Sequence, residues 1–281
     1  MKRLAGRVAV ITGAAGGIGR AMARRFAAEG MALMLSDIEE KELAATARLA
    51  ASAPEAGKVL TQVTDVSDAA AVRDLADRAF AEFGEVHLLC NNAGVLCGGR
   101  IWTREPADFA WSFGVNTWGV LHGIRAFVPR MIEQGTEGHI VNTVSVAGLL
   151  AGPYAAPYAV SKYAAFAATQ CLAQDLRLAG SRLKVTALCP GVVRTGIARS
   201  ERNRPPELAA TGDSDDGAAM RAFAEDSVRH GIDPAEVAAA VVEAVRAERF
   251  LVLTHPRHAD GLRAQTRLLL AGEPPPVPAG E

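Results

Sequence analysis

Tyr158 and Lys162 stand four residues apart in Tyr-Ala-Val-Ser-Lys. On a helix, that spacing puts both side chains on one face. A phenol with an ordinary pKa of about 10 is a poor base at neutral pH. A nearby ammonium favours the phenolate and moves that value towards working pH. Such a pair can take a proton from an alcohol or give one to a carbonyl oxygen. Ser145, at the end of the run Ile140-Val141-Asn142-Thr143-Val144-Ser145, is a neutral donor able to bond a substrate oxygen that gains negative charge. Tyr154 competes for the tyrosine role, but the residue four further on is Tyr158 rather than a lysine. It reads as a pocket wall.

A second group of residues points to a phosphate-bearing ligand. Thr12-Gly13-Ala14-Ala15-Gly16-Gly17-Ile18-Gly19 follows an apolar run and opens a helix-patterned one. Glycines there let the backbone turn sharply and approach a pyrophosphate, while a helix N-terminus offers unpaired N–H groups and partial positive charge. A phosphate-binding NTPase loop needs Gly-Lys-Ser/Thr, which this segment lacks. The next apolar run ends at Ser36-Asp37. A carboxylate in that position accepts bonds from the adenosine ribose hydroxyls and repels a 2′-phosphate. Neither Gly16 nor Ile38 is a cation, so NAD is expected over NADP, with Arg20 the one nearby charge that keeps NADP open. The competing reading of Asp37 is a helix cap.

These residues need a scaffold in which short apolar strands alternate with longer helices. Strand-like runs are Val8–Thr12, Ala32–Leu35, Val59–Val63, Val86–Asn91, His139–Thr143, Val185–Cys189 and Phe250–Leu253. They are continuously apolar, as in a parallel sheet covered on both faces. Helical spacing marks residues 18–29, 38–52, 68–83, 109–131, 156–178 and 235–247. The expected fold is α/β: a doubly wound (Rossmann) parallel seven-stranded sheet with helices on both faces. One domain is expected over residues 1–255. Within it, residues 191–232 read as a long irregular insertion, a substrate lid. Residues 256–271 would add a helical extension, and 272–281, with Pro274-Pro275-Pro276, a flexible tail.

The 281 residues are 49% hydrophobic, enough for a large core. Thirty basic against 31 acidic residues leave a net charge of −1, which gives no reason to expect nucleic acid or an anionic membrane surface. No window approaches the roughly 20 apolar residues of a membrane span, and the expected location is the cytoplasm. Cys90, Cys97, Cys171 and Cys189 form no Cys-x-x-Cys pair and the six histidines are scattered, so the cysteines read as buried free thiols and no metal is expected.

Taken in order, the motifs resemble the single-domain branch of the short-chain dehydrogenase/reductase family. The glycines follow Thr-Gly-x-x-x-Gly-x-Gly. Asn91-Asn92-Ala93-Gly94 follows the fourth strand, and Asn116 lies on the next helix in Val115-Asn116-Thr117-Trp118-Gly119. Ser145 follows the fifth strand, Tyr158–Lys162 opens a helix, and Pro190-Gly191-Val192-Val193-Arg194-Thr195 follows the sixth strand. The likeness spans residues 5–253 and departs in the segment after Gly196 and beyond Leu253. It implies an NAD-dependent oxidoreductase acting on CH–OH groups, with Asn116, Ser145, Tyr158 and Lys162 catalytic. Lys162 would also hold the nicotinamide ribose, and Asn116 a water linking Lys162 to solvent. Gly13, Gly17, Ile18, Gly19, Asp37, Asp65, Val66, Asn92, Ala93, Gly94, Pro190, Gly191, Val193 and Thr195 would contact NAD. Asp65 and Val66 would lie at the adenine. The likeness also implies a homodimer or homotetramer.

The substrate pocket is expected from Leu96, Ser145, Val146, Leu149, Tyr154, Tyr158, Val192 and Ile197, with Val95, Leu150, Val193 and Phe223 nearby. Few charges occur among them, so a mostly apolar substrate is expected, a cyclic or terpenoid alcohol or ketone. Two other readings stay open. A methyltransferase also uses a glycine-rich first turn but has no use for the Ser–Tyr–Lys set. An NAD-binding sensor or scaffold without turnover would not need a proton donor and its activating lysine.

Overall fold

The computed structural model describes residues 1–209 and 214–276; Gly212 and Asp213 of the lid segment and residues 277–281 of the expected tail lie outside them. Seven strands form one parallel sheet: β1 Val8–Thr12, β2 Ala32–Asp37, β3 Val59–Val63, β4 Leu88–Asn91, β5 Gly138–Thr143, β6 Leu183–Cys189 and β7 Leu251–Leu253. Their order is β3-β2-β1-β4-β5-β6-β7. The chain thus leaves β1 in opposite directions, towards β2 and towards β4, and opens a crevice at the carboxyl ends of those strands.

Side-chain alternation along the strands divides the core in two. Ile11, Leu33, Leu35 and Leu88 pack on one face with Met22 and Phe26 of α1 (Gly17–Ala28) and Val237, Val241 and Val245 of α8 (Pro234–Ala247). Val10, Met34, Leu89 and Ile140 point the other way. They meet Leu75 of α3 (Ala69–Phe83), Phe127 and Met131 of α5 (Gly119–Glu133), and Leu172 and Leu176 of α6 (Ala156–Leu178). A strand buried on both faces must be apolar at every position, which is why its sequence run is continuous. Helix α2 (Glu40–Ala51) follows β2. Asp233 caps α8: it accepts from Ala235 N–H, and Glu236 closes a capping box.

Two segments depart from the sequence expectation. The helix read through 109–131 is α4 (Pro106–Phe113), a π-helical turn over Gly114–Trp118, and then α5. Asn116 and Thr117 sit in the widened turn because their side chains are drawn off to Val95 and Ser161. The segment expected to be an irregular lid is ordered in most of its described residues. It holds a 3-10 segment, Ile197–Asn203, and a 16-residue helix, α7 (Asp215–His230). Ser214 caps α7, Asp215 and Asp216 fill its first turn, and Arg229 and His230 its last, so helical signals were in the sequence there.

The chain then forms α9, His258–Leu270, which stops at Gly272 in a left-handed conformation. Cys171 is exposed, unlike the other three cysteines, and all four are free. Among the described residues, no helix is long and apolar enough to cross a membrane, and no cluster of three His, Cys, Asp or Glu side chains could hold a metal.

Candidate active site

The loop after β1 is shaped by backbone contact. Gly13 has φ +65°, and a Cβ there would stand 2.7 Å from Cα of Ala93. Gly17 has φ +49° and faces the Thr195 side chain, 2.9 Å from a Cβ. A Cβ on Gly19 would meet the Gly13 carbonyl oxygen at 2.0 Å. Gly19 therefore backs the loop, while Gly13, Gly17 and Ile18 face the cleft. Gly16 precedes α1 without a side-chain cap, leaving first-turn N–H groups for an anion. Thr12 Oγ1 accepts from the N–H groups of Asn92 and Ala93 at 2.9 and 3.1 Å, and Asn92 Nδ2 returns a bond to the Thr12 carbonyl. These bonds tie the β1 and β4 loops together across the crevice. A loop that only glycine can form, beside an uncapped helix end, fits a dinucleotide pyrophosphate.

At one end of the cleft lie Asp37, Asp65 and Val66. Asp37 accepts from Ala15 N–H at 2.8 Å and from Glu39 N–H at 3.0 Å. Arg20 is held by Thr46 and pairs with Glu42 at 2.7 Å. Glu39 accepts from Arg202 and Asn203, which reach across from the 3-10 segment. Those bonds hold its carboxyl below the usual range against the opposing effect of burial. Glu39, Glu42, Arg202 and Asn203 line the cleft but were missed in the sequence. Ion pairs over 160 residues apart leave no local pattern.

At the other end Ser145, Tyr158 and Lys162 converge, with Asn92, Ala93, Gly94, Pro190, Gly191, Val193 and Thr195 between. The Ser145 hydroxyl bonds the Tyr158 phenol and accepts from Ala147 N–H at 3.1 Å. Lys162 is buried; its Nζ donates to the Thr143 carbonyl at 2.8 Å and stands 5.8 Å from the Tyr158 ring centroid. Burial lowers the Lys162 ammonium to about 8 and raises the Tyr158 phenol, with the Ser145 bond opposing in part. The sequence expectation that Lys162 sets the direction of the phenol's shift is thus corrected: desolvation sets it.

Asn116 is brought close without facing the cleft. A Cβ on Gly94 would lie 3.2 Å from Asn116 Oδ1 and 3.3 Å from Lys162 Nζ. Its Oδ1 accepts from Val95 N–H, and its Nδ2 donates to the Val95 carbonyl and to Ser161 Oγ, at 2.9–3.0 Å. Both side-chain amide protons are thus committed to protein partners, and the side chain braces the loop after β4.

The cleft encloses about 1290 Å³. Leu96, Val146, Tyr154, Val192 and Ile197 line it as expected. Leu149 does not: its carbonyl is held by Tyr163 and Gln265, and its side chain packs with Val144, Ala187 and Cys189. Leu150 lines the cleft beside Val146 instead. Helix α7 adds Met220, Phe223, Ala224 and Val228, one apolar face at helical spacing. Phe223 was expected there; the rest were missed with the helix. His258, at the start of α9, also lines the cleft. Trp111 is buried, while Trp118 is half-exposed and stacks on His122.

The family pattern described as short chain dehydrogenase matches residues 7–206. The chain is 38% identical over 266 residues to a 1-deoxy-11-beta-hydroxypentalenate dehydrogenase of Streptomyces avermitilis, covering 92% of this chain and 86% of that one. It is 31% identical over 281 residues to a CLA biosynthesis dehydrogenase/reductase of Lactiplantibacillus plantarum, covering 99% and 98%. Among solved structures, a short chain dehydrogenase/reductase from Burkholderia phymatum in complex with NAD superposes with a TM-score of 0.97 at 42% identity over the whole of both chains.

Proposed function

The chain belongs to the short chain dehydrogenase family, and from that premise we propose that it is an NAD-dependent oxidoreductase interconverting a secondary alcohol and a ketone on a mostly apolar, cyclic or terpenoid-like skeleton. The observation that carries this reading is the meeting of Ser145, Tyr158 and Lys162 in the same cleft as the glycine cradle.

Gly13, Gly17, Ile18 and the α1 N-terminus would hold the cofactor's pyrophosphate, Asp37 its adenosine ribose, and Asp65 and Val66 its adenine. Asn92, Ala93, Gly94, Pro190, Gly191, Val193 and Thr195 would complete its bed. NAD, when bound, supplies the ring that accepts or returns hydride. The protein's part is the proton. Burial keeps the Tyr158 phenol protonated at neutral pH, which suits it to donate to a carbonyl oxygen as that oxygen becomes an alcohol. Ser145 donates to the same oxygen and steadies the charge that builds on it. In oxidation the proton returns along the same path, from the alcohol to Tyr158.

The pocket lined by Leu96, Val146, Val192, Ile197 and the face of α7 supports an apolar substrate. The relative named for a hydroxypentalenate supports a cyclic skeleton. Half-exposed Trp118, Val160 and Tyr163 on the α5–α6 side support a homodimer or homotetramer; light scattering of a monomer at micromolar concentration would remove that part. The test of the whole is NADH oxidation and NAD⁺ reduction over ketones and secondary alcohols, apolar and polar, with Tyr158→Phe alongside. Turnover of cyclic apolar substrates, lost in the variant, is expected. NADH binding without turnover anywhere in the panel would favour a sensor, and turnover of sugars or hydroxy acids alone would refute the apolar pocket.

A further inference from the structure

The adenosine end of the cleft holds more charge than one ribose-binding carboxylate requires. Asp37, Glu39 and Glu42 line it together with Arg20 and Arg202. Two guanidinium groups at that position are an obvious receptor for a phosphate dianion, since arginine binds phosphate through paired donors. Yet each is already engaged. Arg20 gives a nitrogen to Glu42 at 2.7 Å, another to Thr46 at 2.8 Å, and a third bond to the Ala15 carbonyl. Arg202 is taken by Glu39, which also accepts from Asn203 at 2.7 Å, and its other terminal nitrogen donates to the Arg199 carbonyl at 2.7 Å.

We infer that Glu39 and Glu42 are cofactor-specificity residues that act by occupying Arg202 and Arg20, so that neither arginine can receive the 2′-phosphate of NADP. This rests on the reading of Asp37 as the ribose ligand and extends it. Asp37 repels the phosphate directly, while the two glutamates withhold the cations that would offset that repulsion. Both pairs are partly exposed, with side-chain exposures of 31% and 49% for Arg20 and Glu42 and 46% and 28% for Arg202 and Glu39. A ligand dianion could therefore compete for either arginine if its glutamate were neutral. The Glu39 pair also crosses the cleft, joining the end of β2 to the lid, so the same residue that screens the arginine ties the lid to the cofactor side.

The test is fluorescence titration of NADH and NADPH into wild type, Glu39→Gln, Glu42→Gln and Glu39→Gln with Arg202→Leu. The readout is the ratio of the two affinities, which needs no turnover. Wild type should favour NADH. Each glutamine variant should move the ratio towards NADPH by about tenfold, the scale of one charge-assisted bond to phosphate set against its hydration. The gain from Glu39→Gln should vanish when Arg202 is also removed. A gain that survives loss of Arg202, or an unmoved ratio in both single variants, overturns the inference while leaving Asp37 its role. A wild type that favours NADPH removes the Asp37 reading itself. Glu42 lies apart from the lid, so its variant tests the idea even if Glu39→Gln loosens the strap.

Discussion

Lys162 lies beneath Tyr158 with its Nζ 5.8 Å from the ring centroid, anchored at 2.8 Å to the carbonyl oxygen of Thr143. The ammonium is therefore fixed by the end of β5, independently of the phenol, and both groups lose solvation in the same place. Burial brings the ammonium to about 8 and moves the phenol away from ionisation. The pair is poised to keep the proton on Tyr158 at neutral pH, and the predictions about chemistry follow from that.

Carbonyl reduction should fall as pH rises through about 8, where Lys162 loses its charge. Lys162→Met should lower kcat at every pH and remove that limb of the profile. A limb unchanged in the variant would assign it to another group. Tyr158→Phe should lower kcat by about 10² to 10⁴ while NADH still binds, since the phenyl ring keeps the packing and loses only the transferable proton.

The same lysine carries a stability consequence of the opposite sign. Its folded value of about 8 lies below the ordinary 10.5, so between those limits the unfolded chain holds more protons than the folded one. Stability then rises with pH across that window, and the burial penalty is largest below pH 8. Replacing the charge by an apolar chain of similar size should remove the penalty at the cost of the Thr143 bond. Lys162→Met should melt higher than wild type at pH 7, by about 1 kcal/mol of added stability. Melting curves at pH 7 and pH 10 check this: the gap should shrink at the higher pH.

The glycine loop makes a graded prediction. All three glycines are tight, but what each would strike differs: the Gly13 carbonyl for Gly19, the Ala93 backbone for Gly13, and the Thr195 side chain for Gly17. A side chain can rotate and a backbone must shift. Alanine substitutions should therefore weaken NADH binding in the order Gly19, Gly13, Gly17, with Gly17→Ala losing the least. Titration of the three variants measures the order directly, and a Gly17 variant worse than the others would contradict the geometry.

How much of this was legible in the sequence depends on the range of the interaction involved. The seven strands were readable because burial on both faces demands continuous apolar runs. The positions of Tyr158, Lys162 and Ser145 were readable because one helix and one strand end fix them. The π turn at Asn116 was hidden, since its cause is the pull of Val95 and Ser161, 21 and 45 residues away. Helix α7 carries end signals, Ser214-Asp215-Asp216 and Arg229-His230, on either side of a weak helical pattern. Its small residues and the acidic run before it favoured a loop reading. Leu149 and Leu150 are adjacent and equally apolar, and only the folded turn shows that Leu149 packs into the core while Leu150 faces the cleft.

The segment expected to act as a lid has an ionic, buried footing. Arg204 pairs with Asp108 at 2.8 Å, both side chains being 5% exposed or less, and its guanidinium lies 5.1 Å from the Trp111 ring centroid. Arg104 reaches Asp108 and Asp216, and Asp216 in turn accepts from Arg100 N–H at 2.6 Å and Thr103 Oγ1 at 2.7 Å. The segment leading to α7 and the first turn of α7 are thus held to α4 and to the loop after β4. Breaking a buried pair by removing one partner costs about 3 to 5 kcal/mol, because the other charge is stranded. Arg204→Ala should therefore loosen the lid more than any change on its exposed face. The apolar wall formed by Met220, Ala224 and Val228 should lose its fixed position with it. KM for an apolar ketone should rise at least tenfold, and hydrogen exchange should quicken across 215–230 before the sheet is affected. Paired replacement, Arg204→Met with Asp108→Leu, removes both members of this pair while Arg104 keeps Asp216, and should restore most of the protection. If exchange in α7 were as slow in Arg204→Ala as in wild type, the ionic footing would not be what holds the pocket wall.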